Sequence, residues 1–268
     1  MLTPTHILTD QEYRRHPAVS RSQLCDLLRS PLHYWAKHVD PDRIEASIDS
    51  PALRFGTAAH MCILEKSRFE KTYHEGPQAS RATKAWKDAA KACSGTLLPP
   101  DEFHALRGIE RSLRDHPSAS QALFESKGFN EATFIAKDYN DGLKCRADRV
   151  TTNGMLVDLK TTVDASVSAF SKSVANFNYH IQAAYYMHVV EMATGIRPKG
   201  FAFVAVEKTP PYACQVFFAS ESMLAEGQAR VNYLLDMLNT MQDQFGEEPW
   251  PSYSASPVIL DLPRWAIK

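Results

Sequence analysis

A pair of short apolar-rich segments, joined at Asn153-Gly154, constrains the fold of this chain more than any other feature. Residues 144–161 read K-C-R-A-D-R-V-T-T-N-G-M-L-V-D-L-K-T, and Asn-Gly between β-prone segments is the strongest short-range signal for a β-hairpin. The first segment carries Asp148, and the second carries Asp158 and Lys160 with one residue between them. The sequence therefore predicts a hairpin that brings two carboxylates and an ammonium group together.

The length of the hairpin loop decides whether the two carboxylates meet. Side chains alternate between the faces of a strand, so a shift of one residue moves every side chain to the opposite face. A two-residue loop would place Asp148 opposite Leu159, whereas a three-residue loop from Thr152 to Gly154 places it opposite Asp158. Glycine in the last position of such a loop accepts the left-handed conformation that the turn requires. If the two carboxylates form one centre, the loop is therefore predicted to hold an odd number of residues, as the three-residue loop does.

Two carboxylates in this arrangement are suited to a divalent cation. Opposed strand residues have Cβ atoms roughly 4.5–5.5 Å apart, and two carboxylates that close repel each other unless a cation lies between them. Oxygen ligands of this kind suit Mg²⁺ or Mn²⁺. The other interpretation is an ordinary hairpin on which Asp148, Asp158 and Lys160 are solvated surface charges.

Composition limits the classes of protein to which the chain can belong. The chain has 268 residues, of which 44% are hydrophobic and 23% charged, with a net charge of −1. These values indicate a globular protein with room for one large domain or two small ones. Because the molecule is not a polycation, any contact with nucleic acid requires a local basic groove.

Cysteine usage and the lack of targeting signals predict a cytoplasmic protein. The five cysteines are scattered and include no C-x-x-C pair, which indicates reduced thiols and argues against a zinc ribbon or an iron–sulfur cluster. No apolar run approaches the roughly 18 residues of a membrane span. The N-terminal sequence also lacks the apolar region of a signal peptide.

Helical periodicity and capping residues dominate the N-terminal part of the chain. Residues 1–18 are predicted to be irregular. Helices are predicted after Ser20 or Ser22, after Ser30, and over residues 52–66, 74–98, 101–116 and 117–124. The 74–98 segment is basic, and it is either a mobile functional element or an ordinary solvated helix.

The pattern changes to strands at Gly128. Strands are predicted from Gly128, over residues 143–150 and over 155–161, as a three-stranded antiparallel meander. A helix follows from Tyr179 to Gly195, then two strands within 200–219 and a helix over about 220–244. The proline-rich tail, residues 246–268 with Trp250 and Trp265, is predicted to be an extended strap or a subunit contact.

These elements predict one domain of the α/β (α+β) class over residues 1–268, with a central mixed five-stranded sheet flanked by helices. Its parts are a mainly helical region 1–127, a sheet and helix core 128–219, and a C-terminal helix and tail 220–268.

Several further side chains are candidates for the site, each with an ordinary structural alternative. His60 on an apolar helix is either a hydrogen-bonded core residue or a ligand, and Glu131 is either an exposed strand charge or part of the centre. Ser22 is either a helix cap or a phosphate ligand at a helix N-terminus. Gln182 and Tyr186 lie four residues apart, on one face of the predicted helix.

Five motifs occur in an order that resembles the PD-(D/E)XK nuclease superfamily. They are G-T-A-A-H (56–60), Glu131, C-R-A-D-R (145–149), V-D-L-K-T (157–161) and Q-A-A-Y-Y (182–186). Within the superfamily the chain resembles the RecB-type exonucleases. The S-R-S-Q-L segment (20–24) and the C-R-A-D-R strand are most similar to RecE-type (exonuclease VIII) nuclease domains and their phage relatives, over about residues 18–190. The resemblance implies a restriction-endonuclease-like fold.

The resemblance also implies a set of metal ligands. His60, Asp148, Asp158 and the backbone carbonyl of Leu159 are expected to bind Mg²⁺, for which Mn²⁺ can substitute. Glu131 is expected to help bind a second metal. A bound Mg²⁺ lowers the pKa of water and neutralises phosphate oxygens, and two ions about 3.5–4 Å apart can hold both the attacking and the leaving group.

Other motif residues are implied to support these ligands. Lys160 is expected to position or activate the attacking water, and beside two carboxylates it should stay charged, which favours an electrostatic role over that of a general base. Gln182 and Tyr186 match a Q-x-x-x-Y motif behind the centre. The usual glutamate of the family is replaced by Asp158, whose shorter side chain implies a slightly different metal position.

The function implied by the resemblance is a Mg²⁺-dependent 5′→3′ exodeoxyribonuclease that acts on linear double-stranded DNA. It would release mononucleotides and leave a 3′ single-stranded overhang for a RecT-like single-strand annealing protein, in recombination and repair in a bacterial or phage-infected cell. Such relatives are ring-shaped homo-oligomers, which implies a tetramer or else a trimer. Ser22, Arg54 and Arg81 are candidates for binding the 5′-phosphate. An endonuclease or repair nuclease, and a catalytically silent DNA-binding protein, are the alternatives.

Overall fold

The structure is a computed structural model that describes residues 2–44, 50–137, 141–263 and 266. The chain forms two compact units, one of Met1–Arg21 and Ser47–Val231, the other of Ser22–Ala46 and Asn232–Lys268. The single domain over residues 1–268 stays a prediction.

The described residues contain the predicted elements in the predicted order, and in addition two helices and three short strands. The helices are α1 (Asp10–Arg15), α2 (Arg21–Asp26), α3 (Pro31–His38), α4 (Pro51–Leu64), α5 (Lys66–Thr72), α6 (Lys84–Ala92), α7 (Pro100–Asp115), α8 (Pro117–Ser120), α9 (Val167–Asn176), α10 (Tyr179–Thr194) and α11 (Glu221–Phe245). The strands are β1 (Val19–Ser20), β2 (Tyr73–Glu75), β3 (Thr96–Leu98), β4 (Gly128–Ala136), β5 (Leu143–Thr151), β6 (Met155–Thr162), β7 (Gly200–Glu207) and β8 (Cys214–Phe218). The additions are the helices α1 and α5 and the short strands β1, β2 and β3.

A mixed sheet forms the centre of the first unit. Its order is β1-β5-β6-β7-β8, with β4 paired to the other edge of β5. The β4–β5–β6 meander is antiparallel, as predicted, whereas β6 and β7 are parallel and are connected through α9 and α10. The mixed α/β class is therefore confirmed. Within the described residues, this sheet contains the five predicted strands and a sixth, β1, which was not predicted because two residues carry no periodic pattern.

The edge of β5 that faces β6 is shared by two strands that do not meet. β1 pairs in parallel with Leu143 and Lys144 at one end of β5. β6 pairs only with Arg149 and Val150 at the other end. In the described part of the chain no strand pairs with the stretch between them on this edge, so the sheet has a gap beside residues 145–148.

Helix α4 packs against this sheet with a buried apolar surface, which confirms the helix predicted over residues 52–66. Ser50 caps it by accepting from the N–H of Leu53, and Pro51 occupies the first helical position, where a missing N–H costs nothing. The small side chains Ala58 and Ala59 are fully buried. The apolar cluster between α4, α7 and the sheet includes Ile63, Leu64, Ile109, Leu113, Val157, Leu159 and Val204.

Helix α10 covers the other side of the meander, and its end is as predicted. It contacts β4, β5 and β7. The left-handed residue Gly195 (φ +67°) follows its last turn and donates its N–H to the carbonyl of Glu191 at 2.8 Å, as is usual at a helix C-terminus.

Two regions of the N-terminal part differ from the predictions. The irregular structure expected for residues 1–18 is wrong over Asp10–Arg15, where a helix begins at a capping box of Thr9 and Glu12. A helix over 74–98 is also wrong outside Lys84–Ala92, because β2 and β3 flank it and pair with each other. Both segments are polar and show no clear apolar period. The capping box of Thr9 and Glu12 specifies α1, and the pairing of β2 with β3 specifies the two short strands.

The second unit contains the start of the tail. Trp250 is buried, and its ring stacks on Tyr34 with centroids 5.3 Å apart. Residues 251–263 are exposed and form neither helix nor strand. Trp265 lies outside the described residues, and the role of the tail as a strap or subunit contact stays a prediction. Among the helices that are described, none has the length and apolar character needed to cross a membrane.

Candidate metal centre

The hairpin at the centre of the sequence prediction has the predicted geometry. Its loop consists of residues 152–154, and the last of these has a φ of +94°. The strand register pairs Arg149 with Val157. Continued by one residue, that register sets Asp148 opposite Asp158, on the stretch of β5 that borders the gap in the sheet.

The carboxylate of Asp148 replaces a missing strand partner in this gap. Its Oδ2 accepts a hydrogen bond from the backbone N–H of Leu159 at 2.7 Å. The N–H and C=O groups of one strand residue point to the same edge of the strand. The carbonyl of Leu159, which is the predicted backbone ligand, is therefore directed to the same gap.

Three side chains from three different elements meet at this position. His60 from α4, Glu131 from β4 and Asp148 from β5 each offer one ligand atom, and these atoms all lie within 4.8 Å of one another. His60 Nδ1 lies 3.4 Å from Asp148 Oδ2. One nitrogen and two oxygen donors at such separations are a ligand set suited to a divalent cation.

Glu131 is held in this cluster by an unusual backbone conformation. The register of β4 and β5 sets it opposite Asp148, and its φ is +48°. This left-handed conformation costs a residue with a side chain on the order of 1–3 kcal/mol and is found mainly at functional sites. Burial, with the nearby Asp148 carboxylate as the second cause, raises the pKa of Glu131 to about 8. A bound cation would relieve this unfavourable environment.

Asp158 is not in the three-residue cluster, because its carboxylate is directed to α10 and to Lys160. The Asp158 side chain is buried, and its Oδ1 accepts from Gln182 Nε2 at 2.5 Å. Its Oδ2 is also buried and has no hydrogen-bond partner among the described residues. Lys160 Nζ lies 2.6 Å from Oδ2 and forms an ion pair with it. A buried carboxylate oxygen that is held by an ion pair, without a hydrogen bond from the described residues, fits a ligand atom.

The charges of Asp158 and Lys160 depend on each other. Burial raises the pKa of Asp158, although the ammonium of Lys160 acts against it. Burial alone would lower the pKa of Lys160, but the carboxylates of Asp158 and Asp148 outweigh it, and the pKa is raised. The Lys160 ammonium also lies 4.7 Å from the centre of the Tyr179 ring. Lys160 is therefore a fixed cation beside the candidate ligands.

Comparison with known proteins identifies the family of this chain. Residues 20–256 match a PDDEXK-like domain of unknown function (DUF3799). The chain belongs to this family. The PD-(D/E)XK nuclease fold predicted from the motifs is thereby confirmed, whereas the closer likeness to RecE-type domains stays a prediction.

Solved structures with similarity to this PDDEXK-like domain were also found. A candidate exonuclease from Eubacterium rectale is 16% identical, with a TM-score of 0.63 over 96% of each chain, and it shares the fold. An alkaline exonuclease from Laribacter hongkongensis is 13% identical, with a TM-score of 0.32 over 85% of this chain and 91% of its own. Among curated proteins, none matches this chain.

The remaining motif residues of the PDDEXK-like domain lie on α10. Gln182 is buried against Asp158, as described above. Tyr186 is one turn further along, and its pKa is raised chiefly by burial, with Tyr13 and Asp158 also nearby. Its ring meets Phe201 edge-on, with centroids 6.3 Å apart. The catalytic roles of Gln182 and Tyr186 stay predictions.

The three candidates for phosphate binding belong to different segments of the chain. Arg81 pairs with Glu102 at 3.6 Å, before α6. Arg54 is exposed on α4, whereas the cavity at the centre is lined by its neighbours Leu53 and Gly56. Ser22 lies in α2, in the part of that helix that belongs to the second unit. Their roles stay predictions.

Residues of the N-terminal segment border the centre and were missed by the sequence prediction. Asp10 accepts from Arg68 and from Arg146, each at 2.6 Å. Arg146 also lies over the ring of Tyr13, at 4.4 Å. The capping-box pattern T-D-Q-E at residues 9–12 was the local signal that could have identified this helix.

We predict that Gln182→Ala reduces metal-dependent activity about 10- to 100-fold, the usual cost of losing a group that orients a metal ligand. The reason is that the Oδ1 of Asp158 loses its donor at 2.5 Å. A Mg²⁺ titration of nuclease activity measures the change, and half-maximal activity should shift to higher Mg²⁺. Gln215→Ala on the exposed side of β8 is the control. Equal titration curves for the two variants would contradict the role of Gln182.

Proposed function

We propose that this PDDEXK-like domain is a divalent-metal-dependent exodeoxyribonuclease. The observation that carries the proposal is the convergence of His60, Glu131 and Asp148 at a gap in the sheet, next to the buried Asp158–Lys160 pair. Several carboxylates beside a fixed ammonium group match what hydrolysis of a phosphodiester needs, because negative charge must be neutralised where it develops.

The metal ligands in this proposal are His60, Glu131, Asp148, Asp158 and the carbonyl of Leu159. Mg²⁺ is the proposed ion, with Mn²⁺ as a substitute, because oxygen donors dominate the set. When bound, the ion supplies a water of lowered pKa and neutralises phosphate oxygens.

The other side chains hold the ligands and the reactants. Gln182 fixes the orientation of the Asp158 carboxylate through its hydrogen bond to Oδ1. Lys160 keeps its proton, because two carboxylates raise its pKa, so in our proposal it orients the attacking water and stabilises charge on the phosphate. The backbone N–H of Leu159 donates to Asp148 Oδ2 and so holds the Asp148 carboxylate in the site.

The finer parts of the proposal concern the substrate and the product. We propose that the enzyme digests linear double-stranded DNA in the 5′→3′ direction, releases mononucleotides and leaves a 3′ overhang. The fold shared with the candidate exonuclease from Eubacterium rectale supports an end-dependent activity. The overhang would pass to a RecT-like annealing protein in the cytoplasm of a bacterial or phage-infected cell.

A ring-shaped homo-oligomer, either a tetramer or a trimer, is part of the same proposal. The chain carries a net charge of −1, so a single copy has no strong overall attraction for DNA. Several copies around one channel would direct their local basic patches to the same duplex.

The test is digestion of duplexes labelled at either the 5′ or the 3′ end, beside a covalently closed circle. With Mg²⁺ we expect early release of the 5′ label as a mononucleotide, retention of the 3′ label in long single strands, and an intact circle. Excess EDTA should stop the reaction.

Other outcomes would replace this proposal with its alternatives. Cleavage of the circle would identify an endonuclease or repair nuclease with the same centre. Binding of the linear duplex without digestion at any Mg²⁺ or Mn²⁺ concentration would identify a catalytically silent DNA-binding protein. Early release of the 3′ label would reverse the polarity.

A further inference from the structure

The short helix α1 is fastened to β5 beside the candidate metal centre. Lys144 Nζ donates to the carbonyls of Tyr13 and His16 at 2.8 and 2.7 Å, at the end of the helix where cations are favoured. Arg146 donates to Asp10 Oδ1 at 2.6 Å. Lys144, Arg146 and Asp148 alternate along one strand, so they share a face of the sheet. The strand that carries Asp148 therefore also positions α1.

Helix α1 and the metal centre line the same cavity. Its volume is about 380 Å³, and its lining includes Arg14 of α1 together with His60, Glu131 and Asp148. Arg15, the next residue on α1, does not line it. Both arginines are exposed, so the two side chains differ chiefly in the direction in which the helix presents them.

Arg14 differs from the other arginine of the cavity, Arg68, in having no partner among the residues that the structure describes. Arg68 is bound to Asp10 at 2.6 Å and to Glu65 at 3.0 Å. Among the cavity residues that the structure describes, Arg14 is the cation for which no ion pair or hydrogen bond is present. Its guanidinium is therefore available to a ligand that enters the cavity.

We propose that Arg14 binds a backbone phosphate of the DNA strand that enters the centre. A guanidinium can donate two parallel hydrogen bonds to phosphate oxygens, which gives both charge and orientation. Contacts to phosphates fix the register of a protein on DNA. Arg14 would thus hold the strand with its scissile bond beside His60, Glu131 and Asp148.

This inference rests on the proposed function, but it does not repeat the motifs of the family. Helix α1 precedes the residues 20–256 that match the PDDEXK-like domain. The proposed contact comes from this chain's own N-terminal segment and from the ion pairs that attach it to β5.

The test compares the full chain with its Arg14→Ala, Arg14→Lys and Arg15→Ala variants. Binding of a fluorescent linear duplex is measured by anisotropy between 50 and 200 mM salt, with Ca²⁺ in place of Mg²⁺ to limit hydrolysis. One lost phosphate contact should lower the slope of log K against log salt by about 0.9. We expect this change for Arg14→Ala, together with weaker binding on the order of tenfold.

The controls separate a specific contact from a general charge effect. Arg15→Ala should keep the slope and affinity of the unmodified chain. Arg14→Lys should keep most of the slope and lose part of the affinity, because an ammonium group lacks the two-pronged geometry. The variants and the unmodified chain should have equal melting temperatures, since neither Arg14 nor Arg15 has a partner in the described residues.

Two results would overturn the inference in distinguishable ways. If Arg14→Ala and Arg15→Ala give the same slope, whether lowered or unchanged, Arg14 has no phosphate contact of its own while the proposed nuclease function stands. If the unmodified chain neither binds nor digests linear duplex DNA, the proposed function fails, and the contact fails with it.

Discussion

Asp158→Asn is expected to reduce Mg²⁺-dependent DNA digestion on the order of a thousandfold or more. The substitution keeps the size of the side chain and removes the anion from a position that is 1% exposed. A divalent ion stabilises the transition state by several kcal/mol, and each 1.36 kcal/mol changes the rate tenfold. The measurement is the initial rate of mononucleotide release from a linear duplex at saturating Mg²⁺.

Two further measurements separate the loss of a ligand from the loss of the fold. Asp148→Asn, on the more open side of the centre, should give a comparable loss of activity. Asp236 is an exposed residue of α11, and Asp236→Asn should have the activity of the unmodified chain. Mg²⁺ should raise the melting temperature of the unmodified chain, because a ligand that binds the folded state stabilises it. It should not do so for Asp158→Asn. Full activity of a folded Asp158→Asn variant would disprove the proposed centre.

Lys160→Gln is expected to reduce the same activity by about 10²–10³-fold, the usual effect of removing one charge-stabilising donor. The ammonium lies 2.6 Å from Asp158 Oδ2, in a buried pair. Its removal leaves Asp158 without that counter-ion, so the metal-free variant should also lose stability, by about 3–5 kcal/mol. Rates at saturating Mg²⁺ and denaturant unfolding in EDTA measure the two effects.

Lys160→Arg distinguishes an electrostatic role from that of a general base. Arginine keeps the charge but cannot give up its proton. An electrostatic role predicts that Lys160→Arg retains more activity than Lys160→Gln, whereas a general base predicts equal loss in both. Lys199→Gln, at an exposed position before β7, is the control for the loss of one positive charge.

Local sequence predicted the parts of the site that depend on alternation along a chain. The hairpin, its three-residue loop and the opposition of Asp148 to Asp158 follow from the two-residue period of strands and from a glycine at the required turn position. The helix from Tyr179 to Gly195 was equally predictable, since its length and its C-terminal glycine are local signals. The mixed sheet followed from the order of these elements.

Other features of the site depend on contacts between distant segments. The gap in the sheet arises because β1 and β6 take opposite ends of one edge of β5, and a two-residue strand has no pattern of its own. The left-handed Glu131 has no sequence signal, because glutamate rarely adopts that conformation and its neighbours in space impose it.

The sequence by itself determined the family fold, the hairpin and the identity of the charged side chains, because each is encoded by residues close together or by motifs in order. Only the tertiary structure decided that His60 and Glu131 join Asp148, that Asp158 is directed to Gln182 and Lys160, and that α1 is attached beside them. The physical reason is that these arrangements depend on burial and ion pairing between segments far apart in the chain. Neither the burial of a side chain nor its ion pairs can be evaluated before these segments are packed together.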